Sequence, residues 1–265
     1  MLSTKIILMP ETDLWVFRHG HSRSNRSKDR SLLFPRLVSL AYKHLGRETA
    51  FQLTHFIDLI REKHTPYSVG DKNTPLEPIG HTQAYMTGLA MPGKGIHPNI
   101  ILCSTHFRTR QTAAEIIAGY KQVTDKTLPI IYMDFLVERN SGTTHGFPRA
   151  YYSVLFPKSH ALYAKDKYAF RPPGGESMID VQYNRIRPNI HKELAKHKGV
   201  IAIVGHGLTN STINAELTGK DIRKVRLGSP NLGVYNFKKY WGQKLWKISD
   251  KYDGSTPLVK MVETN

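Results

Sequence analysis

Three short runs along the chain are apolar at every position rather than at alternate ones. They are Leu14-Trp15-Val16-Phe17, Ile100-Ile101-Leu102-Cys103 and Val200-Ile201-Ala202-Ile203-Val204. Each is four or five residues long and ends in a polar or glycine-containing turn. A strand with one wet face alternates apolar with polar, whereas a strand covered on both faces has no need to. The runs therefore predict parallel strands buried between helices. Helical patterns follow two of them. Arg108–Tyr120 gathers Ala113, Ile116, Ile117 and Tyr120 on one face, and Leu208–Leu217 gathers Ile213 and Leu217. Strand alternating with helix predicts a layered α/β fold.

Two regions break this rhythm. Within 26–70, Pro35–Leu45 and Arg47–Lys63 read as helices, the second with an apolar face of Phe51, Phe56, Ile57, Leu59 and Ile60. Pro66 ends it. This block is expected to be a helical insertion that borders or covers the site. Near the C-terminus, Leu232–Phe237 and Leu245–Ile248 are strand candidates separated by a polar stretch with Gly242. They predict an antiparallel hairpin at a sheet edge. There is no internal repeat, and residues 1–265 are expected to form a single domain.

Composition narrows the class. A chain of 265 residues with 40% hydrophobic positions can bury a sizeable core. No apolar run reaches the roughly eighteen residues of a membrane span. The stretch Ile6–Met9 is too short for the core of a signal peptide, so a soluble, cytoplasmic protein is expected. Cys103 is the single cysteine, which excludes internal disulfides and cysteine-rich zinc sites; on an apolar strand it is expected in the core. Charge adds a different kind of information. Lys and Arg total 38 against 21 Asp and Glu, a net charge of +17. Such a surface meets anions: nucleic acid, anionic membrane or phosphorylated metabolites. The cations are scattered, with modest clusters at Arg18–Arg30 and Lys220–Arg226, and no block of five argues for a basic tail.

Ligands of open α/β sheets bind beyond the carboxyl ends of the strands. Those ends carry Arg18-His19-Gly20-His21-Ser22, Ser104-Thr105-His106-Phe107-Arg108 and Gly205-His206-Gly207. Two glycine-flanked histidines and two arginines are thus aimed at one region, and the helix starting near Leu208 can add backbone donors. The guanidinium fork matches two phosphate oxygens. Two arginines at one centre would repel a dication, which argues against a zinc site and for a metal-free anion pocket.

These segments resemble, in order, the motifs of the histidine phosphatase superfamily, the phosphoglycerate mutase-like branch (branch 1). Arg18-His19-Gly20 with Ser22 and Asn25 is similar to its opening signature. Asn73-Thr74-Pro75-Leu76 with Gly80 and Gln83-Ala84 is similar to the segment that follows. Ser104–Thr112 resembles the second arginine motif, Leu136-Val137-Glu138-Arg139 with Gly142 the acid/base motif, and Gly174-Gly175-Glu176-Ser177 with Arg185 a structural motif of the phosphatases. Val204-Gly205-His206-Gly207 resembles the second histidine motif, and Pro230-Asn231 also matches. Six such motifs in order cover most of the chain. The resemblance implies a three-layer α/β/α sandwich around a mostly parallel sheet.

It also implies roles. His19 would be the nucleophile that forms a phosphohistidine. Arg18, Arg108 and His206 would hold the phosphoryl oxygens, with Asn25, Gly207, Ser22 and His21 as further contacts. Glu138 would protonate the leaving group and then activate water. No metal and no cofactor are required. His21 stands where the family commonly has Glu or Gln, Glu77 where it has Ser or Thr, and His106 replaces a usual apolar residue and is expected to be structural. The implied activity is a phosphomonoesterase acting on a small phosphorylated substrate. Two alternatives stay open: phosphoglycerate mutase-type transfer, and a non-enzymatic member that binds nucleic acid or another anion. Ser141 where mutases have Tyr, and the lone arginine of Ala169-Phe170-Arg171-Pro172-Pro173, favour the phosphatase. Membrane insertion is not expected, nucleic acid is left open by the charge alone, and a homo-oligomer is also open.

Overall fold

Side chains on successive strand residues point to opposite faces, so an all-apolar strand must be covered twice. In the computed structural model, which describes residues 11–26, 40–41, 43–46, 48–49, 52–53, 70–142 and 157–259, the sheet is covered in that way. Six strands, β1 (Thr12–Arg18), β2 (Ile100–Ser104), β3 (Ile130–Met133), β4 (Gly199–Gly205), β5 (Gly233–Lys239) and β6 (Lys247–Pro257), lie in the order β3-β2-β4-β1-β5-β6. The pairs β1–β4, β2–β4 and β2–β3 are parallel. β5 runs antiparallel to both β1 and β6.

The described helices of eight residues or more are α1 (Pro78–Gly93), α2 (Phe107–Thr124), α3 (Pro157–Lys165), α4 (Arg187–Leu194) and α5 (Gly207–Thr218). Trp15, Phe17, Ile101, Cys103, Ala202 and Val204 face one side and pack with residues of α1 and α2. Leu14, Val16, Leu102, Ile201 and Ile203 face the other and pack with residues of α4 and α5. The result is the expected three-layer α/β/α sandwich with an antiparallel C-terminal edge hairpin. Cys103 is fully buried, and burial pushes its thiol up to about 12.

The three apolar runs are β1, β2 and β4. The edge strands differ from expectation in extent. β6 starts at Lys247 rather than Leu245 and continues through polar residues to Pro257, because an edge strand needs no apolar run. β3, with only four residues, and α1, with glycines and Pro92 inside it, left no periodic signal. Between 40 and 53 the described positions are helical, and Thr49 Oγ1 donates to Leu45 O at 3.0 Å. The apolar face Phe51, Phe56, Ile57, Leu59 and Ile60 lies outside the described residues.

α1 and α2 touch backbone to backbone. A Cβ on Gly88 would lie 2.2 Å from Ile116 O, and one on Gly119 would lie 2.2 Å from Tyr85 O. Backbone cannot give way as a side chain can, so overpacking here should cost about 1–3 kcal/mol. Gly119→Ala is expected to lower the melting temperature by about 2–10 °C, measured by thermal unfolding; an unchanged melting temperature would mean that the helices separate freely.

Candidate active site

Parallel pairing puts Arg18 opposite Gly205 and Cys103 opposite Val204, so the C-terminal ends of β1, β2 and β4 lie side by side. His19 leaves β1 with its backbone N–H donating to Gly205 O at 3.0 Å. Its ring is 3% exposed, and Nδ1 lies 2.7 Å from Gly20 O. A carbonyl only accepts, so Nδ1 carries the proton and Nε2 keeps its lone pair. Arg108 Nε, which only donates, points at that Nε2 from 3.3 Å.

The loop that holds His19 is fixed by two glycines. A Cβ on Gly20 would lie 2.5 Å from Gly80 O, and one on Gly80 would lie 2.0 Å from His21 O. Gly20 N–H donates to Thr112 Oγ1 at 3.0 Å, and His21 N–H donates to Gln83 Oε1 at 3.0 Å. The start of the loop after His19 is thereby tied to α1 and α2.

His206 ends β4, caps α5 and is wholly buried. Its Nε2 is 2.8 Å from Ser104 Oγ, while Nδ1 is buried with no hydrogen-bond partner. The ring meets His19 edge-on at 5.3 Å between centroids and His106 at 4.9 Å. Burial first, then the charges of Arg108, His19, His106 and Arg18, hold its pKa well below the ordinary 6.5. Arg18 hydrogen-bonds Ser229 O through Nη1, and its Nε is buried without a partner. Burial lowers the Arg18 pKa, with Glu138 opposing that shift and Arg108 adding to it. Arg108 is 2% exposed. Two buried guanidiniums are expensive without a counter-charge. Together with the orphaned Arg18 Nε and His206 Nδ1, they make a centre that can hold an anion.

Glu138 completes the cluster. Its Oε1 accepts from Arg139 N at 2.9 Å, Thr209 N at 3.2 Å and Thr209 Oγ1 at 3.2 Å, and its Oε2 accepts from Leu208 N at 3.3 Å. The carboxylate thus sits on the first turn of the helix that His206 caps. The loop carrying it is gripped from behind. Arg185 donates to Phe135 O at 3.1 Å and Val137 O at 2.6 Å, and pairs through Nε and Nη2 with Glu176, each at 3.0 Å. Arg139 Nη1 donates to Glu176 O at 2.8 Å.

The remaining candidates divide. Asn25 Oδ1 accepts from Ser22 N at 3.0 Å and Ser22 Oγ at 2.9 Å, which fixes the amide with its nitrogen as the donor end. Ser22 is fully buried and also bonds Ser24 Oγ at 2.9 Å, so its hydroxyl serves the loop itself. Gly207 stands beside Arg18, where a Cβ would reach within 3.4 Å of Nε. His21 is half-buried. Sequence reasoning missed Ser104, Thr112, Thr209 and Ser229, which position the histidines, the loop, the glutamate and Arg18. Ser104 and Thr112 bound the quoted arginine motif, but a small hydroxyl residue carries no spacing signal of its own. Among the described residues no group of three His, Cys, Asp and Glu side chains is placed to hold a metal.

Facing imidazoles and buried arginines at the C-terminal ends of the parallel strands define a class of protein: an α/β sandwich with a cluster of buried cationic and imidazole side chains at one end of the sheet. Residues 60–249 match the sequence profile of the histidine phosphatase superfamily (branch 1). The chain belongs to that superfamily. The match starts after β1, and the pairing of β1 with β4 joins His19 to it. The chain is 27% identical over 205 residues to a 2,3-bisphosphoglycerate-dependent phosphoglycerate mutase of Cytophaga hutchinsonii, covering 74% of this chain and 86% of that protein. It is 28% identical over 204 residues to the uncharacterized phosphatase PhoE of Bacillus subtilis, covering 72% and 91%. The fold is similar to that of the alpha-ribazole phosphatase of Shigella flexneri, with a TM-score of 0.63 at 18% identity over 95% of this chain and all of that one.

The neutral state of His206 carries a pH consequence. In the unfolded chain it titrates near the ordinary 6.5, and in the folded chain well below it. As pH falls through about 6.5 the unfolded chain takes up the extra proton, so stability drops on the acid side and continues to drop toward the folded pKa. His206→Gln removes this contribution. The melting temperature of the native protein is expected to fall more steeply than that of the variant between about pH 7 and pH 5; equal slopes would show that His206 is not held neutral.

Proposed function

We propose that the protein is a metal-independent phosphomonoesterase working through a phosphohistidine on His19, with a small phosphorylated substrate. The observation that carries this reading is the His19 Nδ1–Gly20 O bond of 2.7 Å, which fixes the neutral tautomer with its lone pair on Nε2. In the first step Nε2 attacks phosphorus, the bond to the leaving oxygen breaks, and Glu138 in its acid form gives that oxygen a proton. In the second step water attacks phosphorus, Glu138 as carboxylate takes the water proton, and the nitrogen–phosphorus bond breaks to release phosphate. Arg18, Arg108, His206 and the Asn25 amide act as fixed donors to the spreading charge. Gly207 leaves room beside Arg18, and Ser22 shapes the loop; His21, half-buried two residues after His19, is read as a secondary contact to the substrate.

Two features favour hydrolysis over mutase chemistry. Arg171, the lone arginine of its segment, is held by Asp180, with Nε 2.8 Å from Oδ2, rather than left for a second phosphate. Ser141 supplies no phenol. A purely anion-binding role accounts for the charge but not for Glu138 held on the same helix end as His206.

His19→Ala should lower turnover at least about a thousandfold. Glu138→Gln should cost about a hundred- to ten-thousandfold with an alkyl phosphate and much less with an aryl phosphate whose phenol leaves unaided. Steady-state kinetics with both substrates checks this; an equal loss on both would make Glu138 structural. Activity should persist in chelator, since Arg18 and Arg108 supply the charge a metal otherwise would. Activity abolished by EDTA and restored by zinc would overturn the scheme.

A further inference from the structure

At the end of the sheet away from His19, β5 and β6 are joined through residues 240–246. Thr12, the far end of β1 from Arg18, pairs with Lys239, which places this connection opposite the catalytic edge. Gln243 N–H donates to Tyr240 O at 3.1 Å, and Gly242 has φ +74°. These mark a tight turn with glycine at its third position, where a positive φ is needed. Trp241 is thereby held at the apex. It is 86% exposed, more than any other large apolar side chain described.

Four lysines, Lys238, Lys239, Lys244 and Lys247, flank this turn along the chain, and residues 238–247 contain no acid; the nearest described acid in register is Asp13, opposite Lys238 on β1. Among the described residues none of the four is paired with a carboxylate. Lys239 and Lys247 lie over the rings of Trp246 and Tyr240, at 5.9 and 5.7 Å, so their stems lean on the hairpin while their charges stay at the surface. The hairpin continues into a groove of about 800 Å³. Trp246 N–H donates to Leu217 O at 3.0 Å and fixes the near wall. The groove's acids are already answered: Glu216 by Arg187 at 3.0 Å and by His191 at 3.5 Å, Asp221 by Arg223 at 3.7 Å. Lys220 and Lys244 on its walls therefore add uncompensated charge.

A single-stranded nucleic acid would need a track of open aromatic faces. Here Arg187 lies over one face of Tyr183 at 4.1 Å, Lys247 lies over Tyr240 at 5.7 Å, and Trp246 is 5% exposed, so the hairpin and groove present no run of rings with both faces open. An exposed tryptophan at the turn, with lysines on both arms of the hairpin, fits instead the boundary of an anionic bilayer, where tryptophan settles among headgroups and lysines meet anionic lipids. We propose that the β5–β6 hairpin docks the protein on an anionic membrane surface, with Trp241 entering the headgroup layer and Lys238, Lys239, Lys244 and Lys247 facing the lipid charge. The site lies at the opposite end of the sheet from His19, so docking leaves the catalytic edge open. It stands independently of the proposed activity.

Cosedimentation of the full chain with phosphatidylcholine vesicles, with and without about one-third phosphatidylserine, tests the proposal. Binding is expected only to the anionic vesicles and should weaken as salt rises. Each lysine is expected to contribute about fivefold, so Lys244→Glu with Lys247→Glu should weaken binding at least about twenty-fivefold. Vesicles should also shift the tryptophan emission to shorter wavelength. Trp241→Ala should lose that shift while aryl phosphate turnover, or the melting temperature where no turnover is seen, stays unchanged. No binding, equal binding to neutral vesicles, or binding that survives both sets of changes would overturn it. So would tighter binding to single-stranded oligonucleotide that depends on the same residues.

Discussion

The parallel pairing of β1 with β4 sets where everything else in the site can be. Because Arg18 lies opposite Gly205, the next residue of each strand is a histidine, and the two rings meet 5.3 Å apart. β2, paired on the other side of β4, delivers Ser104 to His206 and starts the helix that carries Arg108. α5 begins where β4 ends, so its first amides fall beside the same centre and collect Glu138. A slip of this pairing by one residue would send the histidines to opposite faces. The buried apolar sides of the strands resist such a slip, so the hydrophobic core is what holds the chemical register.

Burial has a second effect. It removes water from two arginines and two histidines, which strengthens every electrostatic interaction they make. It also holds the His206 pKa well below the ordinary 6.5, so the positive charge resides on the guanidiniums. The hydrogen bonds of the Arg185–Glu176 pair to the 135–138 loop fix the carboxylate with respect to this centre. Charge elsewhere on the molecule follows a different logic. The lysines of the β5–β6 hairpin lie at the end of the sheet opposite His19.

The central strands and the two helices after β2 and β4 were legible because burial on both faces writes itself as an unbroken apolar run. The same is true of His19, Arg18, Arg108 and His206, whose position at strand ends follows from the runs that precede them. Glu138 was legible only through its resemblance to a known motif, since nothing in its spacing announces a place on the first turn of α5. Ser104, Thr209 and Ser229 were illegible: their roles depend on tertiary contacts between segments up to about two hundred residues apart. β3 and α1 escaped for a related reason. A four-residue edge strand and a glycine-rich helix take their stability from neighbours rather than from their own periodicity.

The account turns on His19 Nε2 being the atom that receives the phosphoryl group. The most direct measurement is rapid quenching of the protein with labelled phosphomonoester, followed by mapping of the bound phosphate by mass spectrometry. The account predicts phosphate on His19, stable in base and lost in acid, appearing before product and absent from His19→Ala. Phosphate on a serine or another histidine, or turnover by His19→Ala at the native rate, would contradict it.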